Sequence, residues 1–242
     1  MAGTAVVALA GYAYASMSPA SQLFGSTLIA PPLPGQLALT FDDGPNPTWT
    51  PHLLEILAQH RVHATFFMVG RFAQSEPDLV RRVAAAGHLI GNHTWSHPNL
   101  ARSSAQLIRE ELTRTSDTLE EILGRPIAFF RPPYGARRPL ALRAARELGM
   151  TPVTWNAMTS DWSDPQPDHI AGALMRKMER NRQLGYATNI VLHDGGHRAL
   201  GADRGPSVAA AGILLDRFAS SDRFVTLEEW APTSPAHNSG PR

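Results

Sequence analysis

From Gln36 to Trp230, short apolar runs alternate with segments of helical period, and most of the runs end on a polar or charged residue. A strand that is apolar along its length is buried on both faces, which is the condition of a parallel sheet covered by helices. The alternation therefore predicts repeated β–α units. About seven strands are expected, at 36–41, 64–69, 88–92, 128–131, 151–156, 189–193 and 223–227. Between them, Ser75 and Asp78 read as a capping box for a helix that Gly87 stops. A second helix is expected from about Ser104 to Leu123, with Leu107, Ile108, Leu112, Leu119, Ile122 and Leu123 on one stripe. A third follows Pro139 and stops at Gly149.

The polar residues at the strand ends choose the architecture. Asp42 and Asp43 follow the first strand, His93 the third, Arg131 closes the fourth, Asp161 lies beyond the fifth and His193 ends the sixth. An open doubly wound sheet gathers few strand ends at its switch point, whereas a barrel brings nearly all of them to one mouth. The expected fold is α/β, an irregular (β/α)7-type barrel. It forms a single domain over residues 36–230, because no repeat or long linker divides the chain.

Composition removes several classes of function. With 22 Lys+Arg against 21 Asp+Glu the net charge is +1, so neither a nucleic-acid footprint nor a polyanionic tail is present. There is no cysteine, which excludes a thiolate metal site and a cysteine nucleophile, so a metal would have to sit on His, Asp or Glu. The first 36 residues carry no charged side chain. The run Ala5 to Ala10 followed by Ala13-Tyr14-Ala15 reads as a signal or anchor remnant, and a loose extension is the other reading of residues 1–35. Export or cell-envelope association is expected, with membrane anchoring and a cytoplasmic location both left open. Residues 231–242 are rich in Pro, Ser and Gly and are expected to be a loose tail on a monomer.

Three segments carry chemistry. In TFDDGP, at Thr40 to Pro45, two adjacent carboxylates end a buried strand; adjacent residues of a strand point opposite ways, so one can hold a metal while the other faces a substrate. In HTWSH, His93 and His97 are four apart, and on one helical turn both rings would face one side. That spacing is weak alone, since His193 and His197 repeat it; there Gly195-Gly196 argues against a rigid turn. In FFRPPYG, Arg131 precedes a rigid turn and can fork onto a carboxylate, with Asp42 the natural partner.

Together with WNAMTSDW, at Trp155 to Trp162, and IVLHD, at Ile190 to Asp194, these segments resemble in order and spacing the motifs of the polysaccharide deacetylases, carbohydrate esterase family 4 or NodB homology domain. The resemblance implies that Asp43, His93 and His97 hold one divalent metal, zinc first, with cobalt or nickel as alternatives. It implies Asp42 as general base, His193 as general acid, Arg131 as the residue that orients the base and Asp161 as the carboxylate that tunes the acid. Trp162 and Leu192 would wall the acetyl group, and the Tyr134 N–H would bind the oxyanion. One departure is Asn156, where the family commonly has aspartate.

An acetamide needs an activated water, a stabilised oxyanion and a proton for the departing nitrogen, and this residue set offers all three. The implied activity is N-deacetylation of an acetylated glycan such as peptidoglycan or a chitin oligosaccharide. O-deacetylation of acetylxylan, hydrolysis of a small amide and a silent carbohydrate-binding barrel stay open beside it.

Overall fold

The computed structural model describes residues 11–231. The run from Ala5 to Ala10, and residues 232–242 of the expected tail, lie outside the described residues. Eight strands form one parallel sheet: β1 (Gln36–Gly44), β2 (Thr65–Met68), β3 (Leu89–Asn92), β4 (Phe129–Phe130), β5 (Thr151–Pro152), β6 (Ala157–Met158), β7 (Thr188–His193) and β8 (Arg223–Val225). The order is β5-β4-β3-β2-β1-β7-β6, and β8 pairs with the first residues of β1. The seven strands of that path, with the helices between them, make the irregular (β/α)7-type barrel. β1 runs past Phe41 to Gly44, β5 stops at Pro152, and β6 is too short to leave a periodic signal.

Alternation along the strands divides the interior into two layers. Leu37, Leu39 and Phe41 of β1, Phe66 and Met68 of β2, and Ile190 and Leu192 of β7 share one core with the apolar faces of the helices. Within it Phe41 and Phe66 stack at 5.2 Å between centroids. Each such side chain contributes about 1.5–3 kcal/mol by leaving water. The alternate positions Ala38 and Phe67 join a smaller cluster with Phe129, Val153, Val225 and Trp230. With the helix-facing layer so apolar, the inner face of β1 and β7 can carry Thr40, Asp42, Asn189 and His193.

After β1 the α-helices are α1 (Trp49–His60), α2 (Gly70–Ser75), α3 (Pro77–Ala85), α4 (Ala105–Leu123), α5 (Pro139–Glu147), α6 (Pro167–Gln183) and α7 (Gly205–Phe218). The expected capping box at Ser75 does not form. Pro77 sets the first turn of α3, Glu76 takes the cap position, and the Ser75 hydroxyl donates to Arg71 O at 2.8 Å. In α4 the Ser104 hydroxyl accepts from Leu107 N–H at 3.1 Å and Gly124 closes the helix at φ +67°. Ile108, Leu112 and Leu119 are buried as expected, but Leu107 is exposed, because one residue along a helix turns the side chain by about 100°.

The segment before β1 contributes to the barrel wall. β5 and β6 do not pair with each other, and buried backbone groups left by short strands need partners. Leu28 bridges Val153, with Leu28 N–H donating to Pro152 O and Thr154 N–H to Leu28 O, both at 2.9 Å. Ala187 N–H donates to Pro31 O at 2.9 Å and the Asn189 amide to Ile29 O at 3.0 Å. Residues 28–31 are thus hydrogen-bonded into the opening between β5 and β7 rather than hanging loose.

Candidate metal centre and active site

The two carboxylates of β1 reach one cavity because the strand is irregular where they lie. The β1–β2 register pairs Asp42 with Phe67 and Gly44 with Met68, skipping Asp43, whose φ is +71°. Strict alternation would send Asp43 to the helix side; the bulge turns it back. Gly44 permits this turn, since a Cβ there would lie 2.6 Å from Asp194 Oδ2.

Asp43 Oδ1 lies 3.1 Å from His97 Nε2 and 3.5 Å from His93 Nε2. The helical turn expected for the two histidines is absent. Pro98 disfavours helix for His97, and the loop instead turns through left-handed residues, Thr94 at φ +68° and His97 at φ +65°. Its backbone is held by side chains: Thr94 N–H donates to Asn92 Oδ1 at 2.8 Å and His97 N–H to Thr94 Oγ1 at 3.1 Å. Glu111 of α4, buried in the wall, accepts from Ser96 N–H at 2.7 Å and from its hydroxyl at 2.6 Å.

The donor set fits a divalent cation. Asp43 Oδ1 is buried without a hydrogen-bond partner among the described residues, and one ligand atom each from Asp43, His93 and His97 lies within 4.8 Å of the others. His93 Nδ1–H donates to Arg131 O at 2.8 Å, which leaves the lone pair of Nε2 towards Asp43. Burial alone would raise the Asp43 carboxyl, yet the facing rings of His197, His93 and His97 hold it well below the usual carboxylate range. Burial pushes His97 down to about 4, despite Asp43, so its ring is neutral and free to ligate. One carboxylate and two imidazoles with open positions is a set that zinc accepts.

Two further assemblies flank the triad. Arg131 is fully buried, its guanidinium 4.2 Å from the centre of the Phe67 ring, and it donates to Asp42 Oδ1 at 2.8 Å, Thr40 Oγ1 at 2.7 Å and Asn189 Oδ1 at 3.3 Å. Its ordinary pKa is lowered by burial, which Asp42 partly offsets. Asp42 Oδ2 then lies 3.9 Å from His93 Nε2, at the triad. On the other side, His193 Nδ1–H donates to Asp161 Oδ1 at 2.9 Å, while Asp161 Oδ2 accepts from His193 N–H at 2.9 Å and the Ser207 hydroxyl at 2.6 Å. Burial would lower the His193 pKa, but Asp161, with Asp43 and Asp42 beyond it, carries it up to about 9.

A cavity of about 560 Å³ joins these groups, with Asp42, Asp43, His93, His97 and His193 in its wall. Tyr134 and Trp162 stand on its rim, 49% and 47% exposed. Trp162 meets the His193 ring edge-on at 5.2 Å between centroids. Tyr134, at φ +58°, gives its N–H to no backbone acceptor among the described residues. Leu192 is not in this wall: it is wholly buried among the helices. Trp95, an aromatic close to the histidine pair, is also outside the wall, packed under the Arg114 guanidinium at 3.6 Å.

Asn156, the departure from the family pattern, uses both ends of its amide. Nδ2–H donates to Ala187 O at 2.9 Å and Oδ1 accepts from Asn189 N–H at 2.8 Å. Sequence reasoning did not find Thr40, Asn189 or Ser207, which hold Arg131 and Asp161 from distant parts of the chain, or Glu111, which holds Ser96 in the loop between His93 and His97. It also set aside His197, which the structure brings to 3.4 Å from Asp43 Oδ2.

Residues 30–153 match the polysaccharide deacetylase family. A peptidoglycan-N-acetylglucosamine deacetylase of Bacillus cereus is 37% identical over 202 residues, 82% of this chain and 69% of that protein. A chitooligosaccharide deacetylase of Azorhizobium caulinodans is 38% identical over 158 residues, 65% of this chain and 72% of the relative. The crystal structure of the Bc1960 peptidoglycan N-acetylglucosamine deacetylase, in complex with 4-naphthalen-1-yl-N-oxidanyl-benzamide, is similar at a TM-score of 0.72 and 36% identity. It covers 86% of this chain and 93% of its own. The barrel, the ordered motifs and these likenesses agree, and the chain belongs to the polysaccharide deacetylase family.

Proposed function

We propose that the chain is a metal-dependent hydrolase that removes acetyl groups from N-acetylglucosamine residues of a glycan, peptidoglycan or a chitin oligosaccharide. The observation that carries this reading is the convergence on one cavity of an Asp-His-His triad, a carboxylate fixed by a buried arginine and a histidine fixed by a buried aspartate. The names of the relatives support the substrate class. A glycan also suits the cavity's form, since half-exposed Tyr134 and Trp162 on its rim offer aromatic faces to sugar rings.

Asp43, His93 and His97 would hold the metal, zinc first. When bound, the ion supplies Lewis acidity to the acetyl carbonyl and to the attacking water. Asp42 takes the proton of that water through Oδ2, because Oδ1 is engaged by Arg131. The Tyr134 N–H donates to the carbonyl oxygen as negative charge develops there. His193, with Nδ1 committed to Asp161, donates from Nε2 to the departing nitrogen. Its raised pKa keeps that proton in place through neutral pH. Each proton transfer contributes roughly 10²- to 10⁴-fold.

A peptidoglycan substrate would place the enzyme outside the cytoplasm. No helix among the described residues is long and apolar enough to cross a membrane. The reading is tested by acetate release from chitin oligosaccharides, peptidoglycan and acetylxylan side by side, with chelation and metal add-back. Release from the N-acetylated glycans, lost on chelation and regained with zinc, is the expected result. Release from acetylxylan alone, or release indifferent to chelation, contradicts it.

A further inference from the structure

His197 lies in the loop after β7, outside the motif residues, and three contacts fix its ring. Its Nδ1 is 3.4 Å from Asp43 Oδ2, its face stacks on His97 at 4.2 Å between centroids, and its Nε2 is 3.2 Å from the Tyr134 hydroxyl. A carboxylate only accepts, so Nδ1 carries the proton towards Asp43, and Nε2 accepts from Tyr134. The oxygen it faces is not the one that meets His93 and His97: those rings approach Oδ1.

The loop is built to deliver this ring. Gly195 packs directly on the Asp43 backbone, where an added Cβ would lie 2.1 Å from Asp43 O. The Arg71 guanidinium donates to His197 O, Arg204 Nε–H donates to Gly195 O at 2.6 Å, and the Asn46 amide donates to Ala202 O at 2.9 Å. Of the glycine pair that argued against a rigid His193–His197 turn, Gly195 lets the loop close over Asp43 and Gly196 makes room for Ala202 and Arg204 of the same loop.

We infer that His197 is a positioning residue that tethers the Asp43 oxygen not turned to His93 and His97, and braces Tyr134 through its second ring nitrogen. This rests on the metal reading above. A ligand carboxylate free to rotate would present Oδ1 less often in the ligating direction, and an outer partner of this kind is worth about 10- to 100-fold in metal affinity. Asparagine matches the reach of Nδ1–H; phenylalanine keeps the stacked ring and supplies no donor.

Zinc affinity measured by competition with a chromophoric chelator tests this on the 242-residue chain without any substrate. His197→Ala and His197→Phe should each weaken zinc by about 10- to 100-fold, and His197→Asn should recover most of that loss. Should the alanine variant fail to fold, the Phe and Asn pair decides alone. Equal affinity in Phe and wild type overturns the inference, as does equal loss in Asn and Phe. A wild-type chain that takes up no zinc overturns the metal reading itself, whereas tight wild-type binding indifferent to position 197 overturns only the role of His197.

Discussion

Asp42 and His193 are register partners across the β1–β7 ladder, so the proposed base and acid stand on neighbouring strands at the same height. Their side chains are held by different partners, Arg131 for one and Asp161 for the other. Neither partner is in the cavity wall. Because the two assemblies share no residue, their loss should be separable. His193→Ala should lower kcat by about 10²- to 10⁴-fold while zinc content and KM for the glycan stay near wild type, as read by metal analysis and steady-state kinetics.

The pH dependence follows from the His193 environment. Its pKa is raised to about 9, so the protonated form that donates to the leaving nitrogen is retained through neutral pH and lost as pH rises through that value. A bound dication offsets the part that comes from Asp43 and Asp42, and Asp161 supplies the rest. In Asp161→Asn the attraction disappears while burial remains, and the alkaline limb of kcat should move down towards or below 6.5. An unmoved limb would show that another group sets it.

Arg131 is a buried cation with several acceptors, and its removal leaves Asp42 buried beside vacated space. Arg131→Ala should cost about 3–5 kcal/mol of stability by thermal or urea denaturation, together with turnover. Arg131→Lys should recover stability better than activity, because an ammonium cannot fork onto Asp42, Thr40 and Asn189 in the planar geometry of the guanidinium.

Much of the fold was legible because a buried parallel strand leaves a run of apolar residues, as Leu37 to Leu39 and Ile190 to Leu192 do. β6 was not, since two residues carry no period. The site was legible where a motif is local. The TFDDGP carboxylates and the HTWSH pair lie together as expected, although through a bulge and two left-handed residues rather than through plain alternation and a helical turn. The supporting side chains left no such trace. Ser207 reaches Asp161 across 46 positions and Asn189 reaches Arg131 across 58, separations at which spacing holds no information. For His197 the spacing told only that Gly195-Gly196 exclude a rigid turn, as the structure has it; the close approach of Gly195 to the Asp43 backbone is a long-range contact that spacing does not hold.

Asn156 offers a test that is independent of catalysis. Asp at this position would still accept from Asn189 N–H but could not donate to Ala187 O, leaving that carbonyl without its partner. Asn156→Asp should therefore lose about 1–3 kcal/mol of stability by urea denaturation.

The most direct test of the central claim is acetate release by Asp42→Asn carrying verified zinc. Asparagine preserves shape and keeps an acceptor for Arg131 but cannot take the proton of the attacking water. The account predicts turnover of an N-acetylglucosamine oligomer reduced by about 10²- to 10⁴-fold at unchanged zinc content. Undiminished turnover at full zinc occupancy would contradict it.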